Sequence, residues 1–213
     1  MGDQPAADRD AIRQTLKALL RPGDVAELRA FGVQSKDHWR PHVESGYFSD
    51  HERMADIAYE LSSERARGVY LTLNPVEQQL LTRAKNIVRV PKKGEATSDD
   101  NITSRRWLPV DVDPIRASGI SATEAERKAA WEVMRAVASY LKLEGWPTPI
   151  VGDSGNGYHL LYRVDLPTDD GGLVGDVLDA LAFRFDTEGA TVDRVNYNAS
   201  RIWKLYGTVN RKG

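Results

Sequence analysis

The chain has no cysteine among its 213 residues, which excludes a disulfide framework and any Cys-ligated zinc site and points to a reducing setting. It also lacks an apolar run approaching the roughly 18 residues that a membrane-crossing helix needs. Its first ten residues, MGDQPAADRD, carry neither the basic nor the apolar segment of a secretion signal, so a cytoplasmic protein is expected. Net charge is slight, formally −2, too small for a protein that coats nucleic acid over its whole surface. Histidine is sparse: His38, His42, His51 and His159 include no pair at the helix spacing of a zinc site.

What is present fits a folded α/β (α+β) protein. Apolar content of 41% and charged content of 28% are ordinary for a globular domain of this length. Charge is uneven along the chain: Arg83, Lys85, Arg89, Lys92, Lys93, Arg105 and Arg106 outnumber Glu95, Asp99 and Asp100, and the tail from Arg194 onward is basic without an acid. Helical spacing predicts helices over 8–20, from His51 to about Gly68, from Ser121 or shortly after to about Leu143, and over 171–185. Ser49 with Glu52 and Ser121 with Glu124 read as capping boxes. Strand periodicity predicts strands over 24–31 and 69–75, and strand, tight turn and strand through TPIVGDSGNGYHLLYRVDLP. The segment HWRPHVESGYF fits either a loop or a β-excursion. Asn74 before Pro75 suits the N-cap of a helix in VEQQLLTRAKN, and 91–104 reads as a polar loop. Ile202 and Leu205 should both be core residues, so a bulge near Trp203 is expected, which would bring Arg201 and Lys204 onto one face.

The stretch that organises the rest is RRWLPVDVDP, residues 105–114. Leu108, Val110 and Val112 alternate with Pro109, Asp111 and Asp113, giving a strand with one apolar face and one face bearing two carboxylates. Those carboxylates stand about 6–7 Å apart and repel each other, so a cation is expected beside them, and a divalent metal is the economical one. A pair of solvated acids ending a strand is the plainer alternative. In DSGNGYH, Gly155 and Gly157 allow a tight turn whose N–H groups approach an anion, with Ser154 and His159 as side-chain donors; an ordinary hairpin turn fits too. Asp193 supplies a third acid shortly before Arg201 and Lys204, which suit phosphates. Three acids could hold two Mg²⁺ or Mn²⁺ ions against a triphosphate.

Taken together, GVYLTLNP, RRWLPVDVDP, SGNGYHLLY and SRIWKLYGTVN occur in an order and spacing that resembles the archaeo-eukaryotic primase superfamily, in particular its prim-pol (primase-polymerase) branch. The resemblance covers about Val69 to Lys212. It implies a single catalytic domain over 1–213, with an N-terminal α/β lobe to about residue 95 and an RRM-like catalytic lobe over about 96–213, the latter a sheet with helices on one face. It implies that Asp111, Asp113 and Asp193 hold two Mg²⁺ or Mn²⁺ ions. Asn74, Ser154, Gly155, Gly157, His159, Arg201, Lys204 and Asn210 would then hold the nucleoside triphosphate. Single-stranded DNA, as template and primer, is the implied partner, along with a helicase or an accessory domain often found downstream of the last motif. Lys204 departs from the Arg usual in the family, replacing a bidentate phosphate contact by a point charge. Two rivals use the same residues: a metal-dependent glycosyltransferase that binds a nucleotide sugar at its D-x-D, and a non-catalytic RRM-like module in which Tyr70 and Tyr158 stack bases.

Overall fold

In the computed structural model, which describes residues 6–117 and 120–211, the elements in chain order are α1 (Arg9–Leu19), β1 (Ala26–Ser35), β2 (His38–Phe48), α2 (His51–Glu64), β3 (Gly68–Thr72), β4 (Arg105–Pro114), α3 (Glu124–Leu143), β5 (Ile150–Asp153), β6 (Tyr158–Leu166), α4 (Leu173–Phe185), β7 (Ala190–Val192) and β8 (Ile202–Lys204). Short 3-10 turns occur at Gln78–Thr82 and Asp99–Asn101. The strands form two four-stranded antiparallel sheets, so the chain is of the α+β kind. Two compact units result, one running to Thr103 and including Ser200–Arg211, the other Ser104–Ala199. The boundary therefore falls after Thr103 rather than near residue 95, and the tail belongs to the first unit. Among the described residues no helix is long and apolar enough to cross a membrane. Ser118 and Gly119, which fall in the turn expected after Pro114, and Lys212 lie outside the described residues.

In the first unit the sheet order is β2-β1-β3-β8. Ala26, Leu28 and Ala30 of β1 are fully buried, as are Ile12 of α1 and Met54, Ala58 and Leu61 of α2, so the apolar stripes of both helices close one core. The segment 38–48, open between loop and strand in the sequence, is β2. Its Gly46 lies under the chain at Ile87: a Cβ there would stand 1.7 Å from the Ile87 carbonyl oxygen. Paired bonds between Ser45 and Arg89 (2.9 and 3.0 Å) hold that crossing segment.

Three local expectations differ from the fold. The N-cap of α2 is Asp50, whose carboxylate accepts from Arg53 N–H at 3.0 Å, while the Ser49 N–H donates to Asn86 Oδ1. No α-helix follows Asn74. Val76 N–H donates to Val25 O and Glu77 N–H to Asn101 O, both at 2.9 Å, which keeps the chain extended and leaves only a 3-10 turn. The tail strand has no bulge: Tyr70, Leu71 and Thr72 pair with Lys204, Trp203 and Ile202 in regular register. Trp203 takes the core position beside Leu71, and Leu205 is buried after the strand has ended, so the alternation needs no repair.

The second unit follows the order β-α-β-β-α-β, with sheet order β5-β6-β4-β7 and β4 inside, the connection order of a split β-α-β sheet. Both helices cover one face, where Leu108, Val110 and Val112 meet Val137 of α3, Leu178 of α4 and Leu160 of β6. The cap of α3 is Thr123, not Ser121. Its hydroxyl accepts from Glu126 N–H while the Glu126 carboxylate accepts from Thr123 N–H. That reciprocal pair, two residues beyond the expected one, fixes where the 20-residue helix starts.

Candidate active site

Alternation along β4 puts Val110 and Val112 in the core and Asp111 and Asp113 on the opposite face, both only half-buried. Pairing with β6 sets Asp111 opposite His159, and pairing with β7 sets Asp113 opposite Thr191. Directly past β7, the Asp193 N–H donates to the Asp111 carbonyl at 2.8 Å. Thus the three sequence-predicted acids and His159 converge on one end of this sheet.

The environment of Asp111 is unusual. Its Oδ1 is shut off from water and has no hydrogen-bond partner, although His159 Nε2 stands 3.3 Å away outside hydrogen-bond geometry. An orphaned carboxylate oxygen is costly, and a cation would satisfy it. As hard oxygen donors, Asp111 and Asp113 fit Mg²⁺ or Mn²⁺. Asp193 is turned to local work: Oδ1 accepts from Val195 N–H at 2.9 Å and Oδ2 from Asn196 Nδ2 at 3.1 Å. Each of its oxygens would bring only its remaining lone pair to a metal. No cluster of three or more His, Asp and Glu groups arranged to hold a metal ion is found among the described residues.

The turn Ser154–Gly157 presses on the same strand end. A Cβ on Gly157 would fall 2.4 Å from Val112 O and 2.7 Å from Asp113 Oδ1, so glycine is required for that close approach. Gly155 sits at φ +92°, open to glycine and strained for other residues. The turn's N–H groups are engaged internally. Ser154 N–H donates to Gly157 O, Gly155 N–H to Asp153 Oδ1, and the N–H groups of Asn156 and Gly157 to Ser154 Oγ. An anion held here by the backbone would displace those bonds.

Arg127 of α3, which the sequence did not single out, pins this turn. It pairs with Asp153 at 2.8 Å, donates to Gly155 O at 2.7 Å and to Tyr158 Oη at 3.2 Å. The Arg127 pKa is raised, first by its hydrogen bond to Asp153. Burial pushes the Asp153 carboxyl up, but the hydrogen bonds from Arg127 and Gly155 N–H and the nearby positive charge outweigh it, and its pKa is lowered. The sequence places Arg127 only near the start of the helix expected after Ser121; its reach to a turn 26 residues on is tertiary.

The remaining nucleotide-site candidates fall in the first unit. Asn74 is buried just past β3, and Leu73 N–H donates to the Arg201 carbonyl at 3.3 Å, so Asn74 and Arg201 flank the same β3–β8 seam. Lys204 pairs with Tyr70 in register, and its Nζ donates to Thr208 Oγ1 and to Val209 O, both at 2.9 Å. Asn210 lies six residues further along the same tail. The two rings of the base-stacking rival are engaged by this chain: Tyr70 edge-on to Phe31, and Tyr158 edge-on to Trp131 with Arg127 over its ring. No protein-family model, curated protein or solved structure matches the chain.

Proposed function

We propose that this chain is a template-directed nucleotidyltransferase of the archaeo-eukaryotic prim-pol type, a DNA primase-polymerase catalytic domain with an RRM-like catalytic sheet. It would join nucleoside triphosphates to a 3′ hydroxyl on single-stranded DNA, with primer initiation and a helicase or accessory partner as extensions of that role. The observation that carries the reading is Asp111 and Asp113 on one strand face, with Asp193 bonded to the Asp111 backbone and an Asp111 oxygen that lacks any hydrogen-bond partner.

Asp111 and Asp113, with Asp193 as a third donor, would hold Mg²⁺ or Mn²⁺. When bound, two such ions offset the triphosphate charge and favour attack by the 3′ oxygen. His159, buried beside Asp111, would serve a phosphate oxygen as the resemblance implies. Ser154 and the glycines shape the turn that presses on Asp113. That Arg201, Lys204, Asn74 and Asn210 would touch the triphosphate and base is what the resemblance implies; they lie in the first unit, and Lys204 would exchange its bonds to Thr208 Oγ1 and Val209 O for a phosphate. Positioning and charge neutralisation supply most of the rate in such a reaction.

The experiment is a single-stranded template with labelled primer, each nucleotide set in turn, and Mg²⁺ or Mn²⁺. Extension by the complementary nucleotide is expected, and product without primer would extend the activity to initiation. Turnover of a nucleotide sugar without template, or oligonucleotide binding with no incorporation under any condition, would overturn the reading.

A further inference from the structure

The hairpin of β1 and β2 ends in a side chain that the fold leaves unused. Trp39 is 85% exposed, and Arg40 lays its guanidinium 4.0 Å from the centre of the indole ring. Residues 38–41 of β2 are exposed on both strand faces, so this end of the hairpin stands clear of the unit's core. Its base is pinned. Gln34 N–H donates to Arg65 O, Arg67 N–H donates to Phe31 O, and Arg65 pairs with the buried Glu44 at 2.8 Å.

Charge at the tip is mainly positive. Lys36 and Arg40 are accompanied by one acid, Asp37, and the imidazoles of His38 and His42 lie 4.2 Å apart at a tilt of 36°. The apolar surface is one indole with Pro41 near it rather than a broad patch, unlike the clustered anchors of a protein interface. A lone indole with a guanidinium beside it suits a planar ring joined to an anion, which is a nucleotide within a strand.

We propose that the β1–β2 hairpin is a stacking arm for single-stranded DNA, with Trp39 taking the face of a base and Arg40 and Lys36 the adjoining phosphates. Because every base offers a π face, the contact is indifferent to sequence. The arm requires neither metal nor triphosphate; only the choice of DNA over RNA rests on the proposed function.

The test is fluorescence anisotropy of labelled oligo(dT) titrated with the whole chain in EDTA, without nucleotide, alongside oligo(U). Trp39→Ala should weaken oligo(dT) binding about tenfold, and Trp39→Phe should restore most of it. Arg40→Ala should lower the slope of log affinity against log salt by about 0.7, one phosphate contact on a single strand. Wild-type affinity in both alanine variants would overturn the arm. So would a Trp39→Ala variant that changes only self-association in sedimentation, which would mark a contact between copies. Tighter, Trp39-dependent binding of oligo(U) would overturn the assignment to DNA. A chain that binds oligo(dT) through Trp39 yet incorporates no nucleotide would retain the arm and remove the polymerase reading.

Discussion

Asp111 and Tyr162 each keep an oxygen away from water without a hydrogen-bond partner, and chemistry separates their meanings. The carboxylate on the polar face has a use for a cation. The phenol lies in the helix-covered core against Trp146, and burial pushes its pKa up to about 12 from 10.0. Below pH 10 both folded and unfolded forms are protonated, so ionisation of the phenol takes nothing from stability. Between pH 10 and 12 only the unfolded form ionises, so stability falls by up to about 2–3 kcal/mol. Tyr162→Phe should match or slightly exceed wild type in urea unfolding at pH 7, by up to about 1 kcal/mol, and should lose less stability over pH 10–12; an equal alkaline loss in both proteins would refute this. At Gly157 the cost is steric. Gly157→Ala drives a methyl into Val112 O and Asp113, so it should destabilise by about 1–3 kcal/mol and lower nucleotide incorporation beyond what the unfolded fraction explains.

At the scale of elements, helix caps are sites where the sequence is informative but displaced. Both expected boxes had the right residue types nearby, yet Asp50 and Thr123 cap in place of Ser49 and Ser121. Ser49 gives its N–H to Asn86 instead, a partner no local window contains. Thr123→Ala should cost about 1 kcal/mol in thermal unfolding, whereas Ser121→Ala should cost little. The strand 105–114 was legible to the residue because alternation encodes its two faces, and the turn before Tyr158 was legible from its glycines. The stretch after Asn74 was not. Its helix-like pattern is overridden by Val25 and Asn101, which claim the N–H groups of Val76 and Glu77 from distant parts of the chain. At Trp203 the expected core pair differs: Trp203 and Leu205 are buried and Ile202 is only half-buried, so regular alternation holds without a bulge.

On the scale of the whole molecule, the candidate residues divide between two compact units, Asp111, Asp113, Ser154, Gly155, Gly157, His159 and Asp193 in one and Asn74, Arg201, Lys204 and Asn210 in the other. The placement of Asp111, Asp113 and His159 at one sheet end was legible because two strand alternations and one turn fix it; that of Asp193, just past β7, carries no such periodicity. The tail's membership of the first sheet was not, since a three-residue strand carries no mark of its partner. The central claim is that Asp111 and Asp113 serve metal-dependent nucleotide transfer. Its most direct measurement is single-nucleotide incorporation on a primed template by wild type, Asp111→Ala and Asp113→Ala, with circular dichroism showing that each is folded. The account predicts complementary incorporation by wild type and a loss of at least about a hundredfold in either variant. Incorporation at the wild-type rate by a folded Asp111→Ala or Asp113→Ala protein would contradict it.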